Sequence, residues 1–246
     1  MGINAQQKRI DTIANNIANV STKGFKSTRA NFKDALYQTM QRPVQPQDDL
    51  NLEKGHGTLV SGFTTYYAPG QLVESDDTSA YIEGYGFFTV QGPTGEIFYT
   101  RDGDFAKSQG ADGNWYLTDA SNQYRILDQN NQPIVIPGTG KINIGTEGII
   151  TSEGGDYIAT LRIVDFPNRQ GLEATGNNML TVSETSGQPR AATQYGRIIG
   201  GSYEGSNVDM GVELTTLIRA QRSLQMASRA LSTADEMDAT AINSRR

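Results

Sequence analysis

Few residues in this chain could do chemistry, and their spacing argues against the chemistry each suggests. Pro137-Gly138-Thr139-Gly140-Lys141 looks like a phosphate-cradling loop. Such a loop needs a glycine where Val135 stands and Ser or Thr where Ile142 stands, and it must open a helix rather than join two β runs. Asp102, Asp104 and Asp112, with their glycines, suggest a calcium loop, but a ligand set begun at Asp102 needs glutamate at Gly113. Asp76 and Asp77 could act as acid and base on a glycan. Adjacent residues on a strand point to opposite faces, however, and in a turn both are solvated. His56, between Gly55 and Gly57, is the only histidine and reads as a loop residue. Zero cysteines remove disulfides, zinc thiolate sites and cysteine nucleophiles together. The residues therefore predict no catalytic site, no cofactor and no metal, and the Asp/Gly pairs read as hairpin turns.

The elements that would position any such residues are arranged unusually. Ile3, Ile10 and Ile17 stand seven apart near the N-terminus, with Gln6, Ile13 and Val20 three residues after each. Leu217, Leu224 and Leu231 stand seven apart near the C-terminus, with Ala220, Ala227 and Ala234 three after each. Two a/d seams at opposite ends predict terminal helices that fold back and pair. The first helix is expected from residue 3 to about 22, closing at Lys23-Gly24. The last is expected to start after Asn207 or Asp209, both good N-caps, and to run to about Ala241. Alanine at each d position lets a partner helix approach closely, and about thirty residues of such helix exceeds what one domain's packing usually needs. A chain shaped this way is built to assemble.

Between the ends, Phe32 to Met40 reads as helix or ordered extension. Arg42-Pro43-Val44-Gln45-Pro46-Gln47-Asp48-Asp49 then breaks regularity, as a linker or a semi-rigid strut. From about Gly57 to Gly201 short β runs alternate with turn signals, including Pro93-Thr94-Gly95, Asp102-Gly103, Asp112-Gly113 and Glu153-Gly154-Gly155. Tyr157 to Phe166 reads as one alternating strand. The fold class is α+β, with terminal helices pairing as a coiled-coil-like unit around a central irregular antiparallel β-domain. The expected divisions are 1–24 with 207–246 as the helix pair, 25–56 as the strut and 57–206 as the β-domain.

Composition sets outer limits. A net charge of -6 and the lack of a Lys/Arg cluster give no basis for a nucleic-acid partner. No window approaches 18 apolar residues, and the N-terminus has no apolar core for a cleaved signal. Composition alone would place the chain in the cytosol.

The run Asn15-Asn16-Ile17-Ala18-Asn19-Val20-Ser21-Thr22-Lys23-Gly24-Phe25-Lys26 resembles the N-terminal signature of bacterial flagellar axial proteins, the family of rod, hook and hook-associated subunits. Glu204-Gly205-Ser206-Asn207-Val208-Asp209 before the Leu/Ala helix is similar to its C-terminal signature. Tyr85-Gly86-Phe87-Phe88 and Tyr99-Thr100-Arg101-Asp102-Gly103-Asp104-Phe105 resemble landmarks of its β-domain. Leu36-Tyr37-Gln38-Thr39 is similar to the stretch that sets distal rod subunits apart from the hook. The matches span nearly the whole chain in the family's order.

The resemblance implies a structural subunit of the basal-body rod that polymerises helically into a tubular drive shaft. Its partners would be copies of itself, other rod subunits, hook protein and ring proteins. It implies export without a cleaved signal, and roughly one more helical turn before Gly2, so that the N-terminus looks trimmed. The implied assembly residues are Ile10, Ile13, Asn15, Asn16, Ile17, Asn19, Val20, Asn207, Leu217, Ala220, Leu224, Ala227, Leu231 and Ala234. Asn15, Asn16 and Asn19, poor helix formers, form either a solvated face or hydrogen bonds to neighbouring subunits. A proximal rod subunit, and a β-rich surface- or carbohydrate-binding module with oligomerising helical ends, remain as alternatives.

Overall fold

The computed structural model describes residues 2–34, 37–39, 53–55, 58–138, 140–192 and 195–243. His56 and the Pro/Gln segment from Arg42 to Asn51 lie outside them. The chain is α+β, with an N-terminal helix, an antiparallel β-rich middle and a C-terminal helix. It forms two compact units, one of residues 1–18, 28–65 and 209–246 and one of residues 19–27 and 66–208.

The first unit holds helix α1 (Gly2–Ala18), strands β1 (Thr28–Asp34), β2 (Tyr37–Thr39), β3 (Glu53–Gly55) and β4 (Thr58–Thr65), and helix α2 (Met210–Asn243). Strand β1 pairs antiparallel with β4, and β2 with β3. The stretch read as helix or extension is therefore strand where it is described. Its Phe32 faces Val60, and a bulge between Asn31 and Phe32 raises the local twist. Helix α1 buries Ala5, Ile13 and Asn16, one stripe at helical spacing, and packs on α2, β1 and β4. It stops at Ala18, earlier than the periodicity suggests. In the other unit, Asn19 to Gly24 form turns in which the Thr22 amide donates to the Asn19 carbonyl.

Gly24 is thus no helix cap. Its φ is +65°, and a Cβ there would lie 2.6 Å from the Asp102 amide nitrogen. Only glycine fits that approach.

The second unit is built around the strand Phe87–Gln91. Its hairpin partner Ile97–Thr100 sets Phe98 opposite Val90. On the other side Ile126 lies opposite Val90, and Ile163 opposite Phe88. This strand is buried on both faces. Phe88 and Val90 join the main core with Ile82, Leu117, Ile126, Ile150 and Ile198, while Phe87 joins a second cluster with Tyr99, Val164 and Phe166. Edge-to-face pairs such as Phe88–Phe105, with centroids 5.0 Å apart, fix the packing.

Three turn signals close the hairpins they foretell. Gly95, Gly113 and Gly155 take φ of +91°, +80° and +87° after a tight turn, where a Cβ would be strained. Asp102-Gly103 does not. The strands beside it, Ile97–Thr100 and Phe105–Gln109, pair with other partners, and the Gly103 carbonyl accepts a hydrogen bond from the Ala80 amide. The segment is a crossover packed against neighbouring backbone.

The single strand read over 157–166 is two, Tyr157–Thr160 and Ile163–Asp165. The first extends a three-stranded meander, and the second joins the main sheet. After Ile163, Val164 and Phe166 are also buried, because both faces of the sheet there are covered. Alternation cannot report that.

Candidate functional site: the anchored termini and the exposed helical seam

Among the described residues, the side chains whose spacing suggested chemistry are not brought together. Asp76 and Asp77 are exposed before the strand Ala80–Gly84, with Asp77 3.6 Å from the Lys141 ammonium. Gly138 and Lys141 link two strands and open no helix. Among the described residues no three His, Cys, Asp or Glu side chains are placed to hold a metal ion. What the sequence does build with care is the holding of its two ends.

In the first unit Asn16 acts as a backbone surrogate. Its Oδ1 accepts from the Thr28 amide at 3.0 Å, and its Nδ2 donates to the Thr28 carbonyl at 2.9 Å and to Glu213 Oε1 at 3.3 Å. Asn16 is 1 % exposed and Glu213 6 %. The end of α1, the start of β1 and the start of α2 are thereby fixed to one another. Asn16 was expected to face solvent or a neighbouring subunit, yet these bonds lie within its own chain. Asn15 is exposed, and Asn19 and Val20 are half-buried in the turn that follows.

Asp209 caps α2, its carboxylate accepting from the Val212 amide at 3.0 Å, as an N-cap aspartate should. Asn207 does other work in the second unit. Its Oδ1 accepts from the Ser27 amide at 2.7 Å, and its Nδ2 donates to the carbonyls of Tyr66 at 2.7 Å and Ala68 at 3.1 Å. One amide thus joins three chain segments.

Beside it lies a charge cluster that sequence reading missed. Glu204 accepts from Arg101 Nε at 2.7 Å, from the Gly70 amide at 2.6 Å and from the Lys26 ammonium. The side chains of Glu204, Arg101 and Lys26 are 1 %, 3 % and 6 % exposed. The guanidinium also donates to the carbonyls of Gly86 at 2.7 Å and Gly84 at 2.8 Å, and Lys26 to that of Ala68 at 2.8 Å. Burial first, then the Arg101 charge, draws the Lys26 ammonium down to about 8, against the pull of Glu204. Such a cluster binds little for its own sake and punishes removal of any member. The available signal was slight: Arg101 follows the largely apolar run Ile97–Thr100, while Glu204 closes the polar strand Ser202–Glu204.

The predicted seam residues fall on the inner stripe of α2. Ala220 is fully buried, and Leu217, Leu224, Ala227 and Ala234 are half-buried. On α1, Ile13 is buried, and Ile10 and Ile17 are half-buried. The stripe then outruns its cover. Helix α1 has 17 residues and α2 has 34. From the Asn16–Glu213 contact, α1 extends back to Gly2, about 21 Å at helical rise, which reaches only to about Ala227 on α2. Beyond that point Leu231 is 54 % and Ile242 69 % exposed.

Comparison with known proteins matches this layout from end to end. The family described as flagella basal body rod protein matches residues 2–26, the flagellar hook protein FlgE/F/G D1 domain residues 81–152, and the flagellar basal body rod FlgEFG protein C-terminal residues 199–244. The flagellar basal-body rod protein FlgG of Buchnera aphidicola from Schizaphis graminum is 38% identical over 96% of this chain and 94% of its own length. Those of Borreliella burgdorferi and Agrobacterium fabrum are each 35% identical, over 100% and 96% of this chain and 96% and 93% of theirs.

The chain belongs to the flagellar basal-body rod protein family.

It is a structural rod subunit of the flagellar basal body, and the relatives place it with the distal rod proteins. Each anchor then falls on a family landmark. Asn16, Gly24 and Lys26 sit in the matched N-terminal segment, Arg101 in the matched β-domain, and Glu204 and Asn207 in the matched C-terminal segment. Among the described residues no helix is long and apolar enough to cross a membrane.

Proposed function

We propose that the subunit polymerises into a helical tube that carries torque from motor to hook, without catalysis. One observation carries this reading: the apolar stripe of α2 continues past the reach of α1, leaving Leu231 and Ile242 in water. Exposed apolar surface continuous with a packed seam asks for a partner. Helix α1 and the first half of α2 pair as a coiled-coil-like unit, and the rest of α2 is completed by other copies. The terminal helices form the inner core of the tube and the β-rich body an outer sleeve. A helical polymer needs contacting patches that differ on each subunit, so that the assembly does not close.

In this reading Asn15, Asn19 and Val20 line contacts with neighbouring copies, while Asn16 and Asn207 hold each subunit's termini in shape. Hook protein, other rod subunits and ring proteins are the further partners. A surface-binding module finds less support, since five aromatic pairs are turned inward and the Tyr85 ring lies under Arg169 at 4.2 Å. Electron microscopy of concentrated protein tests the proposal. Straight tubes are expected, and monomers at every concentration would overturn it.

A further inference from the structure

The β-rich unit carries a polar groove that belongs to neither the helical seam nor the charge cluster. Val90, Leu117 and Ile126 point into the main core, so their neighbours along each strand alternate to the opposite face. On that outer face the cross-strand register sets Ser108 opposite Tyr116, Thr118 opposite Arg125, and Arg125 opposite Gln91. Turns at residues 92–95, 109–110 and 122–123 wall this surface into a groove of about 710 Å³. That lies within the ~300–1,000 Å³ usual for small-ligand sites. Tyr116 and Thr118 are buried at its floor, although they face away from the core.

Its lining is neutral and polar, with one cation. The Arg125 guanidinium lies over the Tyr116 ring at 4.2 Å, and among the described residues it is in no salt bridge. No carboxylate lines the groove. Asp112, outside the lining, feels the Arg125 charge but is bonded to the Tyr116 hydroxyl at 2.5 Å. Gln91 and Gln109 each donate one amide N–H to a turn carbonyl, that of Gly95 at 3.5 Å and of Gly113 at 3.1 Å. This orients both side chains and leaves their oxygens as acceptors. The Thr118 hydroxyl donates to Asn122 Oδ1 at 3.1 Å, which leaves the NH2 of that amide as a donor. Pro93 and the Tyr116 ring supply the apolar surface. Oriented amides around so little apolar surface match sugar hydroxyls, and a guanidinium held on a ring matches a carboxylate. A peptide has no strand edge to join here, because the strands Phe87–Gln91, Trp115–Asp119 and Arg125–Ile126 are each paired on both sides.

We propose that this groove binds an acidic oligosaccharide, with a sugar carboxylate on Arg125 and sugar hydroxyls among the Gln91, Gln109 and Asn122 amides. The site goes beyond the structural role, and binding by one copy does not require polymerisation. One open polar groove binds weakly, because it excludes little water. Repetition of the groove on many copies would strengthen the contact through multivalency.

Isothermal titration of the full chain at low ionic strength tests this, with trigalacturonate, neutral cellotriose and the peptide triglutamate as probes. Trigalacturonate should bind about tenfold more tightly than either of the others. Arg125→Gln should remove its advantage over cellotriose, and Arg125→Lys, which keeps the charge but loses the planar fork, should fall between. Ser108→Trp on the groove floor should abolish binding, as should Gln123→Trp from an exposed turn, and circular dichroism melts show which variants are folded. No heat with millimolar trigalacturonate would overturn the proposal, as would equal affinity for triglutamate or an unchanged preference in Arg125→Gln. Lost polymer in the two tryptophan variants, with no trigalacturonate bound by the unaltered chain, would assign the groove to another copy and also overturn it.

Discussion

Arg101 Nε lies 2.7 Å from Glu204 Oε2, and neither side chain is more than 3 % exposed, although 103 residues separate them in sequence. With Lys26 on the other carboxylate oxygen, this pair ties the chain's first turn to its last strand inside the β-rich body. A carboxylate flanked by two buried cations is neutralised only as a set.

Replacing Glu204 with glutamine therefore leaves Arg101 and Lys26 buried without a counter-charge. The expected loss is about 3–5 kcal/mol, the cost of breaking a buried pair from one side. Urea unfolding followed by the single tryptophan, Trp115, reads it. The triple variant Lys26→Met/Arg101→Met/Glu204→Leu should recover most of that loss. A triple variant less stable than Glu204→Gln would mean the cluster is favourable in its own right.

At Asn16 the ranking of two substitutions is diagnostic. Asn16→Ala removes the surrogate backbone bonds to Thr28 and should cost about 1–3 kcal/mol. Asn16→Asp can still accept from the Thr28 amide, but it loses both donors and sets a second carboxylate against Glu213. It should be the worse of the two in thermal melts of the helical circular dichroism signal. The reverse order would show that Glu213 is not held as described.

Asp102 predicts a pH dependence. Burial raises its carboxyl to about 6, helped by the nearby Asp104 charge and opposed by the Asp104 amide and Lys23. The folded state then binds a proton that the unfolded state, with its lower pKa, has released. This group's contribution to stability therefore falls as pH rises from about 4 through about 6. Asp102→Asn should raise the urea midpoint at about pH 7.5 and change it little at about pH 4. An equal shift at both pH values would assign the effect to packing.

The two halves of α2 should respond differently. Ala220 is fully buried, so Ala220→Leu overpacks the helix contact and should cost about 1–3 kcal/mol. Leu231→Asp lies on the uncovered part of the stripe and should change monomer stability by no more than about 0.5 kcal/mol. It should nonetheless reduce the polymer yield in sedimentation. Full polymer yield from Leu231→Asp would remove that part of the seam from assembly.

Some of this molecule could be read from its sequence. The heptads of isoleucine, leucine and alanine marked both helices, because a helix face repeats within a few residues and needs no knowledge of distant chain. Gly95, Gly113 and Gly155 marked hairpins for the same reason: a positive φ is a local demand that glycine meets. The order of motifs was enough to suggest the family. Only the tertiary structure decided where α1 stops, why Gly24 must be glycine, and that Asp102-Gly103 is a packed crossover. It also decided that Tyr157 to Phe166 divides between two sheets, and that Asn16, Lys26, Arg101 and Glu204 face inward. Each of these depends on a partner far along the chain, such as Asp102 for Gly24 or Glu204 for Lys26. Periodicity reports which face of an element is apolar. It carries no record of which distant backbone or charge will meet that face, because that choice is made by the packing of the whole fold.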